Sequence, residues 1–172
     1  MKLYVNERAA VIEKLHQPFH PARVTWRPMC LYGDGTTTMP EITKAEAAPF
    51  VALKDYVDRL DEVVGPDWSV SYTPWGENII CHLTVCGITR SVVETSPDGD
   101  TDDPYDPDQP RKIADKAFKR ACATFGLGRY LEGIPPMRVD YDTSKQRFTD
   151  TTRNRLTGII QQHYDRWKES KA

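Results

Sequence analysis

Residues 111–131 read RKIADKAFKRACATFGLGRYL, with six basic side chains against the single acid Asp115. At about 100° per residue, Ile113, Ala114, Ala117, Phe118, Ala121, Cys122 and Phe125 fall on one arc. Lys112, Lys116, Lys119 and Arg120 fall on the opposite arc. One helix therefore carries both a face to bury and a cationic stripe. Gly126 and Gly128 end it, because glycine tolerates the left-handed conformation at a helix C-terminus. A basic face on an isolated helix is commonly no more than solvated surface, so the rest of the chain has to decide its meaning.

Around this helix, 172 residues with 39% hydrophobic and 28% charged side chains describe an ordinary globular chain, read as a single domain over residues 1–172. No apolar run reaches the roughly 18 residues that span a bilayer, and the opening MKLYVNERAAVIEKL lacks a signal-peptide core. The expectation is a cytoplasmic protein with no membrane partner. The four cysteines form no CxxC pair and no histidine stands at metal-finger spacing, so no metal or other cofactor is expected. Cys81 and Cys122 sit at apolar-periodic positions and read as buried free thiols. The net charge of −2 hides an asymmetry: residues 96–110 hold six aspartates and no base, leaving 23 basic and 19 acidic residues elsewhere. Such a balance permits an anionic partner.

In chain order, Asn6 caps a helix running to about His16, and residues 23–28 alternate as a short strand. Residues 30–40 read as a loop or loose hairpin with Gly33-Asp34-Gly35 as its turn signal. Thr43 to Glu46 has capping-box form, but Pro49 argues against an uninterrupted helix there, so the next helix is started near Ala52. Trp68 to Thr73, Asn78 to Cys86 and Ile88 to Thr95 form an antiparallel meander, followed by the flexible acidic stretch 96–110. After the basic helix come a short strand at Met137 to Tyr141 and a C-terminal helix within 149–170. The fold class is α+β: a small antiparallel β-meander (a β-β-β-α core) with helices packed on one face.

Several chemistries fail on spacing. No glycine is followed by lysine, so there is no Walker loop. GLGRYLEG places Leu131 where a dinucleotide fingerprint needs its third glycine, and it follows a helix instead of opening one. DGDTDDPYDPD lacks the sixth-position glycine and twelfth-position glutamate of a calcium loop. No nucleophile with a paired base can be assembled. Binding is the better class, and no catalytic residue is assigned.

The run ADKAFKRACATFGLGRYL at 114–131 resembles the signature of the DdrA and Rad fifty-two family of single-strand annealing proteins. PFHPARVTWRP at 18–28 and YVDRLDEVVGPDWSVSY at 56–72 are similar to two further family segments in the same order, and IICHLTV at 79–85 fits the strand that follows. The resemblance covers about residues 18–136 and leaves the final helix outside. It implies a β-β-β-α core that assembles side by side into a ring or helical arc. It also implies single-stranded DNA in a cationic groove, annealed for recombination or repair without ATP or metal. Carried over by position, Lys119 and Arg120 match the family's DNA-facing Lys-Arg, and Arg27 matches an arginine near the first strand. Lys116 and Lys112 continue the stripe. Arg129 either joins it, caps the helix end or bridges subunits. Tyr72 and Trp75 are candidates for stacking on bases, with core packing as the competing reading, whereas Trp26 and Trp68 read as core. Partners implied are single-stranded DNA, further copies of the chain, and a recombinase or single-strand-binding protein. Two rivals stay open: a protector that coats DNA without pairing it, and a metal-dependent nuclease subunit using the acidic stretch.

Overall fold

The computed structural model describes residues 5–33, 42–76, 78–95 and 108–171. They fall into two compact units, Met1–Gln17 with Leu53–Arg129, and Pro18–Ala52 with Tyr130–Ala172.

In the first unit, helices α1 (Val5–Leu15), α2 (Leu53–Val64) and α3 (Gln109–Thr124) accompany strands β3 (Trp68–Trp75), β4 (Asn78–Val85) and β5 (Ile88–Glu94). The strands form an antiparallel sheet in the order β3-β4-β5, with Cys81 opposite both Tyr72 and Val92. This is the meander and following helix that the alternation predicts. Cys81, Leu83 and Val85 are buried on one face of β4, and α3 packs on β4 and β5. Ala117, Ala121 and Cys122 supply a small-residue seam that brings helix and sheet close, and Phe118 reaches Trp68 with ring centroids 6.1 Å apart. Burying these apolar side chains is the main stabilising term, roughly 25 cal/mol per Å².

The C-terminal end of α3 shows what the GLG sequence is for. The Gly126 amide donates to Ala123 O at 3.0 Å and the Leu127 amide to Cys122 O at 3.1 Å, a Schellman closure with Gly126 at φ +96°. Leu127 is fully buried beneath it. Gly128, at φ +76°, lies against the buried Tyr56, where an added Cβ would come within 2.5 Å of the phenol oxygen.

The second unit departs from the sequence reading. Strands β1 (Val24–Gly33), β2 (Ile42–Val51), β6 (Met137–Asp142) and β7 (Arg147–Phe148) form a four-stranded antiparallel sheet in that order, with helix α4 (Asp150–Glu169). The capping-box pattern at Thr43 to Glu46 is overruled, since these residues belong to β2. Ala45, Ala47 and Val51 are the buried, alternating positions of a strand. Pro49 lies beyond Ala47, where pairing with β6 stops and the strand has an open side, the position at which sheets accept proline. The turn signal at Gly33-Asp34-Gly35 and the acidic stretch fall mostly outside the described residues. Ala45, Ala47, Val139, Phe148 and Leu156 form the core of this unit, and the Trp26 indole N–H donates to Leu156 O at 3.2 Å. Trp26 is thus the core residue expected of it.

Candidate nucleic-acid interface

The cationic stripe of α3 is present, but its members do different things. Lys112, Lys116 and Arg120 lie at i, i+4 and i+8 and are exposed. Lys116 and Arg120 converge on one buried carboxylate, that of Glu94 at the end of β5. Lys116 Nζ stands 3.2 Å from Glu94 Oε1, and Arg120 Nη1 stands 2.7 Å from Oε2 and 3.3 Å from Val93 O. The Glu94 side chain is 4% exposed against 56% for Lys116 and 53% for Arg120. The acid is therefore covered by the cations it holds, and two positive charges stand over one negative charge.

Lys119 points elsewhere. It is half-buried, with Nζ 5.6 Å from the centroid of Tyr56 on α2, a cation–π arrangement. The pair matched by resemblance is thus split. Arg120 belongs to the β5 side of α3 and Lys119 to the α2 side.

Arg129 is occupied with the helix end. Its Nε donates to Ala123 O and its Nη2 to Thr124 O, both at 2.7 Å. Arg90 of β5 also donates to Thr124 O and lies 4.7 Å over the Phe125 ring. Two guanidinium groups thereby satisfy carbonyls at the negative end of the helix dipole. Of the readings open for Arg129, the structure displays the cap.

Arg27 belongs to the second unit, on the sheet face opposite the Trp26 core. Its guanidinium stacks 3.3 Å from the centroid of Phe50 and is exposed. On the same face Arg138 lies 4.1 Å over Tyr32, whose hydroxyl donates to Glu46 Oε2 at 3.0 Å. That hydrogen bond holds the Tyr32 phenol above its ordinary pKa.

Near the start of α3, Tyr72, Pro74, Ile79, Pro110 and Ile113 line a notch of about 450 Å³. Tyr72 is 40% exposed there, and burial pushes its phenol up to about 12, so it stays neutral. Trp75 at the end of β3 is 60% exposed. Both are therefore open to stacking.

Sequence reasoning missed Glu94 and Arg90. The signal for Glu94 was available: it shares its strand phase with Val92, on the face that α3 covers, and an acid there needs a cation. Cys81 and Cys122 are buried free thiols as expected. Among the described residues no cluster of histidine, cysteine or acidic side chains could hold a metal ion. Nor is any described helix long and apolar enough to cross a membrane.

No protein-family model matches the chain. No solved structure matches it either. Two curated relatives do. A single-stranded DNA-binding protein DdrA of Deinococcus radiodurans is 30% identical over 140 residues, covering 79% of this chain and 61% of the relative. A protein of the same name from Deinococcus deserti is 28% identical over 140 residues, covering 79% of this chain and 63% of the relative. The chain thus spans less than two thirds of the length of either, and both are named for binding and not for a reaction. Together with the ordered motifs of its own sequence, these matches make the chain similar to the DdrA single-stranded DNA-binding proteins.

Proposed function

We propose that this chain binds single-stranded DNA along the exposed side of α3 and promotes the annealing of complementary strands in recombination or repair, without ATP. The observation that carries the reading is the Lys116–Glu94–Arg120 cluster. A buried carboxylate fixes two exposed cations one helical turn apart on a rigid element, and phosphate recognition needs pre-positioned cations. Lys112 extends the row. Lys119 contributes from the α2 side, and the Arg27–Phe50 stack offers the second unit a planar cation for a phosphate or a base. Tyr72 and Trp75 supply ring faces, with stacking worth roughly 1–3 kcal/mol per base. The names of the two relatives support the binding half of this reading.

Annealing requires many such contacts, and a side-by-side oligomer supplies them. Strand β1 lies at the edge of its sheet and exposes Met29 and Leu31, an apolar edge of the kind that pairs with another copy. On this reading residues 1–172 act as one annealing domain, in the cytoplasm and at the nucleoid, with a recombinase or single-strand-binding protein as further partner. Lys119→Ala with Arg120→Ala should lower single-strand affinity at least tenfold in a gel-shift titration while assembly persists. Unchanged binding sinks the site. Because the relatives are named only for binding, the second reading is a protector that coats strands. It is separated by whether the protein accelerates renaturation of complementary oligonucleotides.

A further inference from the structure

The core of the second unit is left open on one side. Where β1, β6, β7 and α4 meet, a cavity of about 500 Å³ is walled by Trp26, Tyr141, Phe148 and Leu156, with Arg147 and Arg153 at its rim. Volumes of roughly 300–1,000 Å³ with apolar walls and a few convergent polar groups are those of small-ligand sites. The walls are held in place. Trp26 is tied to Leu156 O at 3.2 Å, and Tyr141 and Phe148 meet edge to face at 84° with centroids 5.8 Å apart.

The rim is electrostatically incomplete. Arg147 and Arg153 share a single carboxylate oxygen, Asp150 Oδ1, at 3.7 Å and 3.4 Å, and all three side chains are about half exposed or more. Contacts this long and this wet are worth little, and one of the two guanidinium charges is left over for an anion. Gln146 completes the mouth with a side chain that can both donate and accept, and a tight turn holds its backbone at φ +48°. An aromatic slot, a hydrogen-bonding amide and a guanidinium pair with one charge left over match one ligand chemistry: a flat heteroaromatic ring joined to a phosphate.

We infer that this cavity takes one unstacked nucleotide of a bound single strand, its base between Trp26 and Tyr141 and its phosphate on Arg147 and Arg153. The choice of a nucleotide rests on the single-strand reading above, but the site is separate from α3 and uses none of its residues. It gives the second unit a grip that depends on an extruded base, which a charged stripe alone does not provide.

The test uses the whole chain, an oligothymidylate carrying 5-iodo-deoxyuridine, and thymidine 5′-monophosphate. Near-ultraviolet irradiation should crosslink the oligonucleotide to Trp26, Tyr141 or Phe148, read by peptide mass spectrometry. Calorimetry should show the mononucleotide binding weakly. That binding should fall at least fivefold in Arg147→Gln with Arg153→Gln, both exposed positions, and disappear in Thr157→Trp, which fills the cavity from α4. Oligonucleotide binding with adducts confined to the first unit, and no mononucleotide affinity, overturns this inference alone. Failure of the wild-type chain to bind the oligonucleotide at all overturns the single-strand reading, and this inference with it.

Discussion

Replacing Glu94 by glutamine tests whether the buried carboxylate sets the strength of the cationic stripe. Glutamine keeps the size of the side chain and an acceptor for Arg120, but removes the charge that cancels one of the two cations. With a unit charge released toward solvent and a phosphate about 6 Å away, Coulomb attraction in water gains about 0.7 kcal/mol, or about threefold in affinity. One further neutralised phosphate also steepens the log–log salt dependence by about 0.7. The fold loses something in exchange. Breaking a fully buried pair costs about 3–5 kcal/mol. Lys116 and Arg120 are more than half exposed, so solvent screening reduces this to about 1–2 kcal/mol, a melting-point drop of roughly 2–8 °C. Fluorescence anisotropy with a labelled oligothymidylate at several salt concentrations reads affinity and slope together. Tighter binding with a steeper slope, in a less stable protein, is the expected result. Weaker binding with an unchanged slope refutes the charge argument and makes Glu94 a residue that orients the two cations.

Arg129→Gln should cost about 1–2 kcal/mol of stability, because it uncaps the α3 carbonyls, and leave the salt slope of DNA binding unchanged; a shallower slope would show Arg129 on the strand. Gly128→Ala should destabilise by at least about 2 kcal/mol, since the left-handed backbone and the buried Tyr56 phenol leave no room for a methyl group; an unshifted thermal melt would contradict this. Burial pushes the Cys81 thiol up to about 11 and Cys122 further in the same direction. At pH 8 both therefore stay protonated, and alkylation followed by mass spectrometry should label the exposed Cys30 first. Labelling of Cys122 in the native protein would mean that α3 opens readily from its sheet.

The first unit is legible because its patterns are local. The 3.6-residue period of α3 and the alternation of Ile79, Cys81, Leu83 and Val85 each point to one structure, and the turns at Gly76 and Gly87 join neighbouring strands. The second unit is not, because its sheet joins β1 and β2 to strands about 90 residues later, and no local pattern announces a pairing across that distance. Thr43 to Glu46 shows the cost. A capping box is a local signal, and burial of Ala45 and Ala47 against Val139 overrides it. The candidate interface divides in the same way. Helical spacing puts Lys112, Lys116 and Arg120 on one exposed face, whereas the contacts that tell the cations apart come from other elements: Glu94 on β5 for Lys116 and Arg120, and Tyr56 on α2 for Lys119. Arg129 shows the converse, since a cation in a signature sequence turns out to serve the helix end.

The stripe is also too short to work alone, and its length sets a measurable bound. At 1.5 Å rise per residue, Lys112, Lys116 and Arg120 follow one another at about 6 Å intervals, so one copy of α3 meets about three phosphates. Three neutralised phosphates give a salt slope near about −2 for a single strand, and Glu94 brings this closer to about −1.4. So few contacts hold a strand weakly. Repetition of the stripe along an assembly converts each further contact into an intramolecular one, without any new chemistry. The slope should therefore rise with oligonucleotide length, in steps, as a strand long enough to cross a second copy engages it. A slope that stays near its short-oligonucleotide value at every length would show that each strand is held by one subunit, and the side-by-side arrangement would lose its physical reason.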